Sequence, residues 1–154
     1  MPQRTISSVD ELKSLVGQEV NAGDWFQITQ DRIDSFASVT MDRQWIHIDV
    51  DRAKKESPYG TTIAHGFLSL SLLSYLLFQA IQLNLGFARA INYGINRLRF
   101  PTAVTSGARV RGHFILQSVK DVDGGIEIVW AINVEVEGQE KPAVAVEWVL
   151  RQYN

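Results

Sequence analysis

An aspartate and a histidine near the middle of the chain, Asp42 and His47, carry side chains suited to general acid–base chemistry near neutral pH. They lie five residues apart. Five steps of about 100° would put them roughly 140° apart around a helix, so they cannot share a helical face. In a loop, however, both side chains can turn towards one point. A water molecule held between them would then be deprotonated by one group, and a reacting carbon would be protonated through the same site.

A glycine further along the chain, Gly66, lies at the predicted start of a helix. The first backbone N–H groups of a helix have no helical partner and face outward. Glycine has no side chain to keep a substrate oxygen away from the backbone. Such an N–H group would stabilise an enolate-like oxygen developing on a carbonyl. Acid–base chemistry on water beside this donor predicts hydration of a double bond conjugated to a carbonyl, or the reverse dehydration.

The residues that follow Gly66 form a long stretch without charge. No Asp, Glu, Lys or Arg occurs from position 66 to position 88, a length that is sufficient to cross a bilayer. Serine, glutamine and asparagine interrupt the stretch, and its flanks lack the Lys/Arg asymmetry that orients a membrane span. We therefore expect no membrane span, but a long apolar central helix that other elements wrap on nearly all sides.

Four segments of the C-terminal half are rich in Val, Ile and aromatic residues and often alternate in polarity, as half-buried strands do. Glycine and proline turns separate them, and these short turns favour an antiparallel meander over βαβ units. The predicted strands cover residues 90–100, 108–119, 126–136 and 143–150, with a further strand near 24–29. We expect an α+β protein in which the long helix lies against a curved antiparallel sheet of about five strands.

Two shorter helices are predicted before the long one. Ser8 and Glu11 have the spacing of a capping box, and Gly17 can end the helix that they begin. Thr29 is the predicted N-cap of a helix over residues 30–39. The loop that carries Asp42 and His47 follows this second helix.

The composition excludes several classes of protein. The 154 residues include no cysteine, which excludes disulfides, thiolate nucleophiles and Cys-ligated metal sites. A formal net charge of −2 without a Lys/Arg block argues against nucleic-acid binding. The first residues carry no apolar run typical of a secretory signal, which predicts a cytoplasmic location. The length is typical of one domain, and we predict a single domain over residues 1–154.

The chain resembles the MaoC-like dehydratases, the (R)-specific enoyl-CoA hydratases of hot-dog fold, and within them the branch that includes nodulation protein N. The residues that carry the resemblance are Thr-Met-Asp-Arg-Gln-Trp-Ile-His at 40–47 and Thr-Thr-Ile-Ala-His-Gly-Phe at 61–67, together with residues 24–25, 91–94 and 99–101. The resemblance therefore extends over nearly the whole chain.

The resemblance implies a lyase of fatty acid metabolism that hydrates trans-2-enoyl-CoA to (R)-3-hydroxyacyl-CoA, or catalyses the reverse dehydration. It implies that Asp42 and His47 form the catalytic dyad, that the Gly66 amide polarises the thioester carbonyl, and that Ser74 occupies a polar active-site position. Asp42 would act as the base while His47 holds the water, although the two residues can exchange roles. Coenzyme A enters only as part of the substrate, with no separate cofactor. The resemblance also implies a homodimer, because an open sheet leaves an edge strand that a second copy can pair.

The sequence departs from the stricter family pattern at three positions. Met41 stands where the pattern has glycine, and Gln44 and Trp45 stand where it has Asn-Pro. Gln44 retains an amide that can form hydrogen bonds. Trp45 is bulkier than proline and does not fix the backbone φ angle. We therefore expect an altered loop geometry around an intact dyad.

Other residues have both a structural and a functional interpretation. His65 either bonds the loop backbone or contacts the substrate, and Ser74 either bonds its own helix or faces the active site. Tyr93 lies where a glycine interrupts a strand and could line the acyl pocket. Arg99, which shares a strand face with Arg97, is either solvated or bound to the phosphates of coenzyme A.

Two further questions stay open at this level. His47, Asp49 and Asp51 alternate as possible metal ligands, but the aspartates precede a basic segment at a helix start, where they are favourable without a metal. We therefore expect no metal site. The alternatives to a hydratase are a non-catalytic protein that binds acyl thioesters and, as a third option, a hot-dog thioesterase. The acyl chain length and the choice between coenzyme A and acyl carrier protein are not determined by the sequence.

Overall fold

The computed structural model describes residues 1–154 and contains six helices and eight strands. The helices are α1 (Val9–Ser14), α2 (Gln30–Thr40), α3 (Trp45–Ile48), α4 (Val50–Glu56), α5 (Gly66–Ser71) and α6 (Leu73–Ala80). The strands are β1 (Arg4–Ile6), β2 (Glu19–Ala22), β3 (Phe26–Gln27), β4 (Ile81–Leu83), β5 (Arg89–Arg99), β6 (Arg109–Val122), β7 (Gly125–Val136) and β8 (Val144–Tyr153).

Local sequence signals place the starts of the first two helices correctly, whereas α1 ends at Ser14, three residues before the predicted end at Gly17. The Ser8 hydroxyl accepts the Glu11 amide at the start of α1, and the Glu11 carboxylate accepts the Ser7 amide. The Thr29 hydroxyl accepts the Arg32 amide at the start of α2. These side chains satisfy backbone donors that a helix start leaves without a partner. Both capping predictions are confirmed.

The main sheet is antiparallel and has six strands, in the order β2-β6-β7-β8-β5, with β3 also paired to β6. The fold class predicted from the sequence is confirmed, but the meander covers only β6, β7 and β8. β5 pairs with β8 instead of β6. The segment between β5 and β6 crosses to the far side of the sheet, where the Ala64 amide donates to the Val104 carbonyl and Ile63 forms a bridge with Thr105.

The prediction of one long central helix is wrong. The uncharged stretch forms α5 and α6, which are separated at Leu72, and it then continues as strand β4, which pairs in parallel with β1. The Asn21 side chain donates to the Ala80 carbonyl at 2.7 Å and so satisfies an acceptor at the end of α6. The other elements also do not cover α5 and α6 on all sides, because Phe67, Tyr75 and Phe78 are exposed.

The core lies between the helices and one face of the sheet. β6 alternates buried and solvent-facing residues, so Val110, Phe114 and Leu116 pack inward. From the helical side, Leu76 and Leu77 of α6 are almost fully buried in the same cluster. None of the helices combines the length and the apolar character that a membrane crossing requires.

The solvent-facing side of the sheet carries a cluster of charged groups around His113. Its Nδ1 lies 2.7 Å from Glu19, and its Nε2 lies 2.6 Å from Glu135, which also accepts from Arg111. Burial lowers the pKa of His113, but the hydrogen bonds to the two glutamates outweigh burial and raise it above the usual 6.5. The structural role predicted for His113 fits this position on β6.

Candidate active site

The dyad predicted from the sequence comes together in the segment between α2 and α3. Met41 ends α2 in the left-handed conformation, at φ 65°, and so turns the chain. Asp42 follows in the loop, whereas His47 lies in the single turn of α3. Side-chain ligand atoms of Asp42, His47 and His65 all lie within 4.8 Å of one another. The loop thus brings together two groups that one continuous helix would have separated.

The hydrogen bond of His47 determines its tautomer. Nδ1 lies 2.7 Å from the carbonyl oxygen of Ile63, which can only accept, so Nδ1 carries the proton. Nε2 therefore carries a lone pair and has no partner within the protein. Burial is the largest influence on the pKa of His47 and lowers it below 6.5, although the Ile63 carbonyl and Asp42 oppose that shift. His47 is thus a neutral acceptor near pH 7.

The Asp42 carboxylate and the His47 ring lie within reach of one shared water. The carboxylate of Asp42 accepts only a long hydrogen bond, at 3.5 Å, from the Gln44 amide. A carboxylate oxygen of Asp42 and a ring nitrogen of His47 lie no more than 4.8 Å apart. Two hydrogen bonds of about 2.8 Å to one water reach across roughly 4.6 Å at a tetrahedral angle, and further at a wider angle. One water can therefore bond both groups.

Gly66 is the first residue of α5, as the sequence predicted, so its amide has no helical partner. A Cβ atom at Gly66 would lie 3.1 Å from the Phe100 ring, which packs directly over the backbone. Gly66, His47 and Phe100 line one cleft of about 280 Å³. The absence of a side chain leaves this backbone open to the cleft and to the aromatic ring.

His65 lies behind His47 and is not among the residues that line this cleft. Its Nε2 lies 2.9 Å from the Asp42 carbonyl oxygen, and its ring stacks on that of His47 with centroids 3.8 Å apart. Of the two interpretations made from the sequence, the structure contains the bond to the loop backbone. The residue is buried, with only 3% of its surface exposed.

The other residues that were predicted to contact the substrate lie away from Asp42 and His47 within one chain. Ser74 and Tyr93 line a second cleft of about 280 Å³ beside Trp148, and Ser74 also borders a larger one of about 580 Å³. The Arg99 guanidinium donates to the neighbouring Leu98 carbonyl, and the residue lines a fourth cleft on β5. The Arg151 guanidinium covers the Tyr93 ring at 3.5 Å. The dyad, Gly66 and His65 therefore form one group, and Ser74, Tyr93 and Arg99 do not join it.

Three residues that support the site were missed from the sequence. Ser69 is buried on α5 and lines the cleft with His47, and its hydroxyl has no protein partner. Gln30 donates to the His47 carbonyl at 2.8 Å and accepts from the buried Thr62 hydroxyl. Ser69 lies three residues after Gly66, a spacing that places both on one helical face and that could have indicated it. The bonds of Gln30 span 17 and 32 residues and leave no local signal.

Asp42, His47 and His65 also form the one group whose ligand atoms come close enough to suggest a metal ion. The two imidazole rings are stacked, with an interplanar angle of 23°. A metal ion binds an imidazole in the plane of the ring, and the planes of stacked rings do not converge on one ion about 2 Å from both. The arrangement suits proton transfer better than metal binding.

Comparisons with known proteins identify the family of this chain. Residues 11–138 match the family model described as MaoC like domain. The chain is 44% identical to 3-hydroxyacyl-thioester dehydratase Z of Mycobacterium tuberculosis, over 96% of this chain and 97% of that protein. It is 40% identical to nodulation protein N of Rhizobium meliloti, over 96% and 92%.

A solved structure gives the same result for the fold. The unliganded (R)-hydratase of Pseudomonas aeruginosa superposes with a TM-score of 0.68 and 23% identity, over 90% of this chain and 82% of that one. The resemblance inferred from residues 40–47 and 61–67 is thereby confirmed. The chain belongs to the MaoC-like dehydratase family, has the hot-dog fold, and is assigned a hydratase or dehydratase role.

Proposed function

We propose that this protein hydrates trans-2-enoyl-CoA to (R)-3-hydroxyacyl-CoA, or catalyses the reverse dehydration, with Asp42 and His47 as the catalytic dyad. The observation that carries the proposal is that a carboxylate and a neutral imidazole lie within 4.8 Å, a distance that one shared water can bridge, and that the imidazole lines one cleft together with Gly66. The name of the mycobacterial relative, a 3-hydroxyacyl-thioester dehydratase, supports the thioester substrate.

The geometry supports a division of roles within the dyad. His47 Nε2 has the free lone pair and accepts a proton from the bridging water, while the Asp42 carboxylate accepts the second water hydrogen and orients the oxygen. The oxygen bonds to C3 of the enoyl group, and the π electrons move to form an enolate. The Gly66 amide donates to the enolate oxygen. The proton then passes from the imidazolium to C2, which completes the hydration without an added cofactor.

An exposed edge of the sheet supports the homodimer. β5 pairs with β8 on one side only, and its residues Ile91, Tyr93 and Ile95 are exposed. A long apolar edge strand in water is a surface that proteins cover. A second copy paired at β5 would cover these residues and enclose the cleft that contains Ser74 and Tyr93. In that assembly, Ser74, Tyr93 and Arg99 would contact the acyl-CoA substrate.

The sharpest test compares crotonyl-CoA hydration by the wild type with that by Asp42→Asn and His47→Gln. Each substitution keeps the side-chain size and removes the proton-accepting group. We expect each to lower kcat at least about 100-fold, the contribution of a positioned acid or base. Asp49→Asn is the matched control, since Asp49 caps α4 through its side chain and asparagine caps equally well. Equal rates in all four proteins would overturn the proposed dyad.

The same assay separates the other two functions. A non-catalytic acyl-thioester binding protein would bind acyl-CoA without turnover at any chain length. A thioesterase would release free thiol from saturated acyl-CoA, which a thiol reagent detects. Chiral analysis of the product decides whether the hydroxyl group has the (R) configuration.

The dimer is tested by light scattering. Ile95→Lys places a charge on the exposed edge of β5 and is expected to yield monomers at micromolar concentration, whereas the wild type is dimeric. Val39→Lys, at an exposed residue of α2, is the control and should remain dimeric. A monomeric wild type at that concentration would contradict the proposed assembly.

A further inference from the structure

One buried imidazole contacts every part of the segment that carries the dyad. The His65 ring lies 5.0 Å from the Phe36 ring of α2 on one side and 3.8 Å from the His47 ring of α3 on the other, measured between centroids. Its Nε2 bonds the Asp42 carbonyl in the loop that joins these two helices. His65 thus contacts α2, the loop and α3.

The donor role of the His65 ring follows from its one polar partner. The Asp42 carbonyl can only accept, so Nε2 carries a proton and donates it to that oxygen. Nδ1 is buried and has no hydrogen-bond partner. The backbone of Asp42 is therefore the one group in the protein to which the His65 ring is hydrogen-bonded.

His65 has no access to a substrate in the cleft. It is 3% exposed, and the residues that line the cleft include its neighbours Ala64 and Gly66 but not His65 itself. Any effect on a reaction in the cleft must act through the residues that it contacts. Two of these contacts are with the proposed dyad.

We propose that His65 is a positioning residue that holds Asp42 and His47 at the separation required for a shared water, and that it does not contact the substrate. This proposal rests on the proposed hydratase function, because it assigns His65 a role through that dyad. The Nε2–H bond fixes the backbone of Asp42, and ring stacking fixes the plane of His47. Loss of either contact lets the two reacting groups move apart.

Two substitutions separate the contacts. His65→Phe keeps a flat ring against His47 and removes the N–H donor, whereas His65→Gln keeps an N–H donor and removes the ring. We expect His65→Phe to lower kcat for crotonyl-CoA about 10- to 100-fold with little change in KM, since a displacement near 1 Å has such an effect. His65→Gln should retain more activity than His65→Phe. His113→Gln, on the opposite face of the sheet, is the control and should keep wild-type kinetics.

The pH dependence gives a readout that a purely structural role would not change. Repulsion between two protonated rings makes His65 one of the influences that lower the pKa of His47, so replacing His65 by a side chain that cannot be protonated should move the acid limb of kcat/KM to higher pH. NMR titration of the His47 ring nitrogens measures the same shift without any substrate. Circular dichroism shows whether each variant is folded. If one variant does not fold, the His47 titration of the wild type is compared with that of the folded variant alone.

The outcomes are distinct. A fall in kcat together with a shifted His47 titration supports the proposal. Unchanged kcat and titration in both variants would overturn it, as would a rise in KM alone, which indicates direct substrate contact. If the wild type does not hydrate any enoyl-CoA, the proposed function fails, while the NMR titration still decides whether His65 positions His47.

Discussion

Met41 is the residue whose backbone conformation most directly affects the catalytic loop, and replacing it by glycine is expected to stabilise the protein. It is the only non-glycine residue with a positive φ, at 65°, and it immediately precedes Asp42. A left-handed conformation is unfavourable for a residue with a Cβ atom by about 1–2 kcal/mol. Glycine adopts it without that penalty but loses more backbone entropy on folding, about 0.5–1 kcal/mol.

The balance of these two effects gives the expected magnitude. The Met41 side chain is 67% exposed, so its removal takes little buried surface from the core. Met41→Gly should therefore raise the free energy of unfolding by about 0.5–1 kcal/mol, the difference between the two effects. For a chain of this length, that corresponds to a rise in Tm of roughly 1–4 °C.

Calorimetry and urea unfolding measure this change directly. Val39→Gly is the matched control, because Val39 is also largely exposed but lies in the right-handed turn of α2 two residues earlier. Glycine there should lower the free energy of unfolding by about 0.5 kcal/mol. The reasoning is refuted if Met41→Gly lowers Tm as Val39→Gly does. Crotonyl-CoA kinetics of the same variant then show whether the strained turn is needed to orient Asp42.

Three further predictions concern titration and the cleft. The pKa of His113 is raised above 6.5, so its stabilising effect is complete below that pH and is lost as pH rises through the raised pKa; urea unfolding should show this loss in the wild type and not in His113→Gln. The pKa of His47 is lowered below 6.5, so its neutral form persists into mild acid; kcat/KM should fall only below pH 6.5 on the acid side. Ser69→Ala removes a hydroxyl that faces the cleft without a protein partner and should lower kcat/KM about 2- to 10-fold, whereas Ser71→Ala, whose hydroxyl bonds the Phe67 carbonyl, should not.

The sequence predicted those features that depend on neighbouring residues. Ser8 and Thr29 cap their helices through bonds that span three residues, and such bonds leave a recognisable spacing. Alternating polarity predicted β6 and β8 because one face of each packs on the core. The MaoC-like resemblance, which is also confirmed, depends on short motifs such as the one around Asp42 and His47. The predicted fold class is confirmed as well.

The sequence was less informative where a segment is stabilised by distant partners. The composition of a short apolar run does not show whether it forms a helix or a buried strand. Residues 81–83 form β4 because β1, more than 70 residues earlier, offers a parallel edge. β5 lies beside β8 because the crossing segment after it bonds Ala64 rather than turning back. Neither partner is visible within a local window.

The same distinction applies to the site. The sequence alone identified the acidic, imidazole and glycine groups and the reaction that they suit, because chemistry depends on residue type. Only the tertiary structure decided their arrangement: the Ile63 carbonyl assigns the tautomer of His47, and the His65 ring fixes it beside Asp42. These contacts join residues 16 or more positions apart, and folding alone brings them within hydrogen-bonding distance.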